Sequence, residues 1–526
     1  MAKRRDELAA YTFARKRTVA AFLAPSPGGS EEGAPRPIRT VMPSLGVGLV
    51  LVIGFIAWGV IKPTAPKGWD TPGEYIIVDS DSTTRYVVLD PDPKDGKVEK
   101  VLHPVLNYAS AKLLLDKGKG SVLEVPGKEI DKSGIRHGAT IGIPYAPDRM
   151  PSKDDAQKPK TWAVCERPVE GAARAIDRAV FVLNADDAKV LDNAGKVDPR
   201  EALYVRDSRT QVDYLVDSKG TRFQLGGPAL DKPTMEKLRA AAIGTTAAGF
   251  EPQLVSSEWL STLNAGDVIT FPTIEGAGGP TQVQGLPADA SVGRVIKTED
   301  TQVTQYYVVL KDKVAAITPF VAGLVRAAWS QDESADIKLA TPQVIDANNG
   351  DTPSFYKDKG WFETVPKQAN SPASATAEAR TTSCSVYGGT IGQGNKPQLA
   401  AWAGTAYPKR IVADSLSAYV SSGSGLLFTE ITGTAAGGGG QYLLTDTGLR
   451  YSLPKTNDSA AKGNGGDSAS GAADSSGGDA SETDKARTRL GYEDVTSPAI
   501  VPQTWAAFIP KGPMLDTGSA AQEQSQ

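Results

Sequence analysis

The chain has 526 residues, with 57 Lys and Arg against 61 Asp and Glu and a formal net charge of −4. Hydrophobic residues at 40% and charged residues at 22% supply folded cores, without the clustered cationic excess that nucleic-acid binding requires. Two histidines and two cysteines give no spaced set of zinc ligands. The Gly-Lys dipeptides lack the Gly five residues earlier that a phosphate-binding loop needs, and the Ser421–Gly425 cluster lacks a nucleophile elbow with a His partner. The sequence therefore offers no catalytic residue, metal site or cofactor.

Residues 3–23 hold two basic triplets, Lys3-Arg4-Arg5 and Arg15-Lys16-Arg17, with Leu8, Tyr11, Val19, Phe22 and Leu23 at helical spacing. Such a helix lies on anionic lipid or docks on a partner. The expectation here is a partner groove that takes Leu8, Tyr11 and Phe22, with Arg15, Lys16 and Arg17 steering the approach. Pro25–Pro43 reads as a tether within a cytoplasmic segment 1–43. The run Thr40–Ile61 carries no charge, and residues 44–61 as a helix cover about 27 Å, close to the ~30 Å hydrocarbon core of a bilayer. Eight Lys and Arg against four acids among residues 1–43 place the N-terminus in the cytoplasm. The expectation is a plasma-membrane protein that crosses once, with residues 62–526 outside.

Outside the span the chain repeats itself. Tyr214–Leu225 aligns without a gap on Tyr442–Leu453, each a strand, a Gly-containing turn and a strand. Val255, Trp259, Leu263, Gly266 and Ile269 recur at the spacing of Val501, Trp505, Ile509, Gly512 and Leu515, which predicts a short helix ended by the glycine. Tyr214, Trp259, Tyr442 and Trp505 are expected to anchor the cores of these repeats. Looser copies open at Arg85–Asp90 and Gln305–Leu310. Four small α/β repeats follow, at 71–150, 211–275, 285–365 and 440–515. The Gly/Ser/Asp-rich stretch 455–487 within the last reads as a flexible insert, the run Gly437–Gly440 as mobile, and 516–526 as a disordered tail.

The stretches left over, 155–205 and 370–435, contain one cysteine each, Cys165 and Cys384. In an oxidising compartment one disulfide is the simplest state, with two buried free thiols as the alternative. A bond would clip both stretches into one discontinuous, mainly-β central domain. Repeats one and four then leave it on one side and repeats two and three on the other, an α+β, elongated, pseudo-two-fold arrangement.

Together, the basic helix with Tyr11-Thr-Phe-Ala-Arg-Lys-Arg17, the single span, four divergent repeats and two ectodomain cysteines resemble the EccB family, a core membrane component of type VII (ESX-type) secretion systems in actinobacteria. Ile141-Gly-Ile-Pro-Tyr-Ala-Pro147, Gly491-Tyr-Glu-Asp-Val495 and Pro510-Lys-Gly-Pro-Met-Leu515 look like structural signatures of that family. The resemblance implies a scaffold subunit, not an enzyme. It would assemble with the EccC motor ATPase, EccD, EccE and the mycosin protease, and its ectodomains would associate with each other. ATPase activity has been attributed to some family members, but this sequence presents no recognisable site for it. A cell-wall (peptidoglycan) binding anchor is the alternative reading.

Overall fold

The computed structural model describes residues 4–23, 38–61, 65–91, 99–169, 175–193, 195–228, 230–244, 251–299, 304–331, 333–339, 343–351, 355–372, 378–411, 418–433, 439–454 and 481–524. Helix α1 (Arg4–Leu23) covers the basic segment, and α2 (Ile38–Ile61) starts ahead of the expected span and takes in Pro43. Side chains of α2 are described only for residues 41–56, and all of these are exposed. Among the described residues no helix is long and apolar enough to cross a membrane.

The first repeat is a meander of β1 (Tyr75–Asp79), β2 (Arg85–Leu89) and β3 (Val101–Pro104). Helix α3 (Tyr108–Leu114) leads to β4 (Ser121–Val125), which pairs parallel to β1, and α4 (Gly127–Lys132) to β5 (Arg136–His137), parallel to β3. Asn107 starts α3 by accepting the Ser110 N–H on its side-chain oxygen (3.0 Å). After α5 (Lys153–Ala156), strands β6 (Thr161–Pro168) and β7 (Ile176–Leu183) begin the central sheet, followed by the short α6 (Ala185–Ala188).

The second repeat has the same plan, with β8 (Glu201–Asp207), β9 (Asp213–Val216), β10 (Thr221–Gln224), α7 (Lys232–Ile243), β11 (Gln253–Val255), α8 (Ser257–Ser261) and β12 (Asn264–Ala265). The third follows suit with β13 (Val295–Glu299), β14 (Thr304–Val309), β15 (Val314–Ile317), α9 (Pro319–Ala328), β16 (Ile337–Leu339), α10 (Gln343–Asn348) and β17 (Asn349–Gly350). Strand β18 (Lys367–Gln368) then pairs with β8. Strands β19 (Thr382–Ile391), β20 (Pro397–Gly404) and β21 (Ala418–Val420) complete the central sheet in the order β20-β19-β6-β7-β21. The fourth repeat is β22 (Leu426–Ile431), β23 (Gln441–Leu444), β24 (Arg450–Leu453), α11 (Glu482–Arg489), β25 (Ala499–Pro502) and α12 (Gln503–Ala506). Its closing strand is reduced to one parallel bridge, Arg450 to Lys511.

Several sequence expectations need correction. Glu201–Asp207 and Leu426–Ile431 do not belong to the central sheet. Each is the first strand of a repeat, hydrogen-bonded antiparallel to the hairpin that follows. Both are apolar enough to read as central strands, and only non-local pairing separates them. Gly266 and Gly512 do not end helices. They lie in the closing segments, donating their N–H to Arg222 (2.9 Å) and Arg450 (2.8 Å) carbonyls. A Cβ there would sit 2.6 Å from the Phe223 ring and 2.5 Å from the Tyr451 ring, so these glycines let an aromatic ring lie against backbone. Gly138 and His103 make the same contact in the first repeat. Of the expected insert, residues 482–487 belong to α11, while 455–480 lie outside the described residues. Of the Gly437–Gly440 run, only 439 and 440 are described, and the Gly440 carbonyl accepts the Glu430 N–H (3.0 Å).

The tail is ordered as far as residue 524. Helix α13 (Thr517–Ala520) is capped by the buried Asp516, which accepts the Ser519 N–H and hydroxyl (2.7 Å each). Glu482 on α11 accepts the Thr517 N–H (2.9 Å) and hydroxyl (2.6 Å). Glu523 then bridges antiparallel to Ile141, and Gln524 donates to the Thr140 (2.9 Å) and Gly142 (2.7 Å) carbonyls. Residues 523 and 524 thus finish the edge of the first repeat. Deleting residues 516–526 is expected to raise amide exchange at Ile141–Ile143 and in α3 about tenfold or more and leave α7 and α9 unchanged, as read by hydrogen–deuterium exchange.

Repeats one and three each have small cores of their own, around Ile76 and Ile77 in the first and Ile296 in the third, but larger cores are shared between units. Ala109 and Leu113 of α3 pack with Tyr451, Ala486, Leu490 and Ala520, joining repeats one and four. Leu238 and Ala242 of α7 pack with Phe320, Val321 and Leu324 of α9, joining two and three. One face of the central sheet (Trp162, Val164, Val180, Val182) meets Val255, Trp259 and Leu263 of repeat two and Phe428, Trp505 and Ile509 of repeat four. A small sheet buries a face only against another layer; in repeat one α3 and α4 supply part of that cover from within the repeat, and neighbouring units supply the rest.

Candidate functional site

The central sheet is the junction of the molecule. Cys165 and Cys384 sit directly opposite each other on the antiparallel pair β6 and β19 and are disulfide-bonded, closing a loop with a sequence separation of 219. They lie on the face opposite the shared core, among Ala163, Phe181, Leu183 and Trp402.

Next to Cys165, Glu166 points to the other side, where it is fully buried. Its carboxylate accepts the Arg178 Nε (2.7 Å), the Ser256 N–H (2.7 Å) and the Ser256 hydroxyl (2.6 Å). Ser256 is the N-cap of α8, accepting the Trp259 N–H (3.0 Å), so one carboxylate fixes both the sheet and the helix that carries Trp259. Trp259 Nε1 donates to the Val164 carbonyl (2.9 Å), and Trp505 Nε1 to the Thr262 carbonyl (3.1 Å). The Arg178 guanidinium lies 5.0 Å from the Phe508 ring of repeat four, and the Tyr387 hydroxyl donates to the Ile500 carbonyl (2.7 Å). The Glu166–Ser256, Trp259–Val164, Trp505–Thr262 and Tyr387–Ile500 bonds each cross from one unit to another.

A second knot holds the chain where it enters and leaves the central sheet. Asp155 on α5 accepts the buried Lys160 ammonium (2.8 Å), the Ser424 hydroxyl (2.9 Å) and the Gly425 N–H (2.8 Å), just ahead of β22. Burial pushes the Asp155 carboxyl up, but Lys160 and the Gly425 and Ser424 donors outweigh it and hold the group below its ordinary value. Asp187 is likewise lowered, first by Lys409 and then by Ser421. In repeat two the buried Asp213 gathers Arg206 (2.5 Å), Arg239 (2.7 Å) and the Tyr204 hydroxyl (2.8 Å). Burial, followed by the Asp213 charge, raises the Tyr204 phenol.

Of the residues singled out in the sequence, Trp259 and Trp505 are fully buried in the shared core. Tyr214 and Tyr442 are half-buried at its edge. Each carries the arginine eight residues on, Arg222 at 5.9 Å and Arg450 at 5.0 Å, over its ring. On α1, Leu8, Tyr11 and Phe22 are 68%, 72% and 89% exposed. Arg15 falls on their face, at four residues from Tyr11 and seven from Leu8 and Phe22, so cation and apolar anchors share one stripe. Lys16 and Arg17 follow it on the same exposed helix. Sequence reasoning missed Glu166, Arg178 and Ser256. Only Ser256, a capping residue ahead of an apolar helix, left a local signal. Among the described residues no group of three or more His, Cys, Asp and Glu is placed to hold a metal ion.

The fold is a set of repeats braced on a disulfide-clipped central sheet, with buried polar groups such as Glu166 and Ser256 engaged between units. The family described as "Type VII secretion system ESX-1, transport TM domain B" matches residues 2–526, and the chain belongs to this EccB family. The ESX-3 secretion system ATPase EccB3 of Mycolicibacterium smegmatis is 26% identical over 502 residues, covering 92% of this chain and 84% of its own length. The ESX-2 secretion system ATPase EccB2 of Mycobacterium tuberculosis is 30% identical over 314 residues, covering 57% of this chain and 56% of its own. Among solved structures, a chain of an intact ESX-5 inner membrane complex superposes with TM-score 0.58 at 20% identity, over 100% of this chain and 96% of that one. The EccB3 dimer from the ESX-3 core complex gives 0.57 at 22%, over 85% and 99%. The mixed α/β fold is thus that of the EccB proteins in ESX membrane complexes.

Proposed function

We propose that this chain is a membrane-anchored, non-catalytic scaffold subunit of a type VII secretion machine. Residues 44–61 span the membrane, the N-terminus is cytoplasmic, and the repeats assemble outside by association of ectodomains. The observation that carries the reading is that Glu166, Arg178, Ser256, Trp259 and Trp505 are all used to brace units against one another. The solved relatives form a dimer and sit in inner membrane complexes, which supports self-association here. EccC, EccD, EccE and the mycosin protease are the partners this role requires. The names of the relatives call them ATPases, so purified protein is to be assayed for ATP turnover. Turnover that survives further purification would end the non-catalytic reading.

In this reading α1 holds the subunit in the complex. The span already supplies more apolar burial than a helix lying in the interface, so the exposed Leu8, Tyr11 and Phe22 serve a protein groove. Changing all three to Ser is expected to leave membrane insertion intact and lose co-purification of the other components. Normal recovery of the complex would reduce α1 to a topology signal.

A further inference from the structure

Tyr145 occupies a position that its own fold does not reward. It is the third residue of a turn closed by the Ala146 N–H on the Ile143 carbonyl (3.2 Å), with Pro144 ahead of it. Its φ is 62°, the left-handed region where such turns take Gly or Asn. The other described non-glycine residues with positive φ are Thr83, Gln211, Ser330, Asp358 and Asn395, all polar. Tyr145 is the only aromatic one among them, and its side chain is 88% exposed. The ring therefore gains almost no burial in return for a backbone conformation that a Cβ resists.

The surroundings force that conformation. The Ile143 carbonyl also accepts the Asn107 side-chain amide (2.7 Å), and the Ile143 N–H donates to Ser110 (2.8 Å). Beyond the turn, the Ala109 N–H donates to the Pro147 carbonyl (3.1 Å). The loop is pinned at both ends, and it presents a rigid tyrosine that has few rotamers to lose on binding.

We infer that Tyr145 is an anchor of the contact between two copies of this chain, inserting into an apolar slot on the partner copy. This rests on the self-association proposed above. Nearby charges do not suit an anionic lipid surface, because Arg85 is paired with Asp148 (3.3 Å) and Arg149 with Asp446 (3.4 Å). Nor is the ring laid against the surface as a platform for a sugar; it projects, which fits a pocket. In a two-fold dimer each copy offers one such residue to the other, so a single substitution removes two anchors.

The test uses full-length protein in detergent, with Tyr145→Gly, Tyr145→Asn and Tyr145→Phe. Glycine is expected to weaken self-association at least about tenfold by sedimentation equilibrium. At concentrations where both proteins are monomeric it should melt about 2 °C above the natural protein, because it accepts the left-handed backbone. Asparagine should also lose association, and phenylalanine should keep it. A photoreactive benzophenone side chain at position 145 should give a product of twice the chain mass. Glycine variants that associate normally would overturn the assignment, as would a lowered melting point or cross-links only to lipid, glycan or another protein. If the natural protein is itself monomeric at every concentration, the self-association reading fails, an outcome distinct from normal association of the glycine variant.

Discussion

Serine at Cys165 or Cys384 is expected to destabilise the central sheet by about 2–5 kcal/mol, the range for a native disulfide closing a long loop. Strands β6 and β19 come from stretches far apart in sequence, and the bond fixes their register at a directly opposed pair. The loss spreads in a defined direction. The same sheet turns its other face to Trp259 and Trp505, so repeats two and four loosen with it. The core shared by α7 and α9 contains no residue of this sheet and is expected to hold. Limited proteolysis with peptide mapping distinguishes the two regions. Peptide mapping without reduction, on protein from native membranes, should find the two cysteines joined. Two free thiols there would remove the premise.

Trp505→Ala should cost about 3–5 kcal/mol, the figure for deleting a fully buried tryptophan. The ring has no exposed surface, lies 5.6 Å from the Tyr387 ring, and its Nε1 satisfies the Thr262 carbonyl of repeat two. Its removal opens a void where three units meet and leaves that carbonyl without this donor. Amide exchange should rise first at Thr262 and Leu263, then along β25 and β22. If only repeat four responds, Trp505 belongs to a private core and the braced arrangement is wrong.

The repeats were legible in the sequence because their hairpins are local. Asp217 accepts the Lys219 (3.0 Å) and Thr221 (2.7 Å) N–H groups, and Gly220 takes φ 68°, so the turn states itself within a few residues. The closing strands β5, β12 and β17 have two residues each and carry no periodicity of their own. The first strands β8 and β22 were lost to the central domain for a related reason. An apolar strand does not say which sheet it joins, and pairing partners decide that. The tail misled through composition. Asp, Thr, Gly and Ser read as disorder, yet Asp516, Thr517 and Ser519 are the residues whose side chains cap α13 and meet Glu482. Glu166 was illegible because its partner Ser256 stands 90 residues away.

The order in which the units close has a consequence for how the molecule is made. The inner pair, two and three, is contiguous in the chain and can bury its shared face as soon as both have emerged. The first repeat emerges earliest, yet the surfaces that complete it are α11, α13 and residues 523–524. It must wait with an open edge and one bare face of α3 until residues 482–524 have been made, a long-range closure of the kind that folds late. A chain that stops before Thr517 leaves that face open, so the state of the first repeat in each molecule is a record of whether residues 517–524 were made.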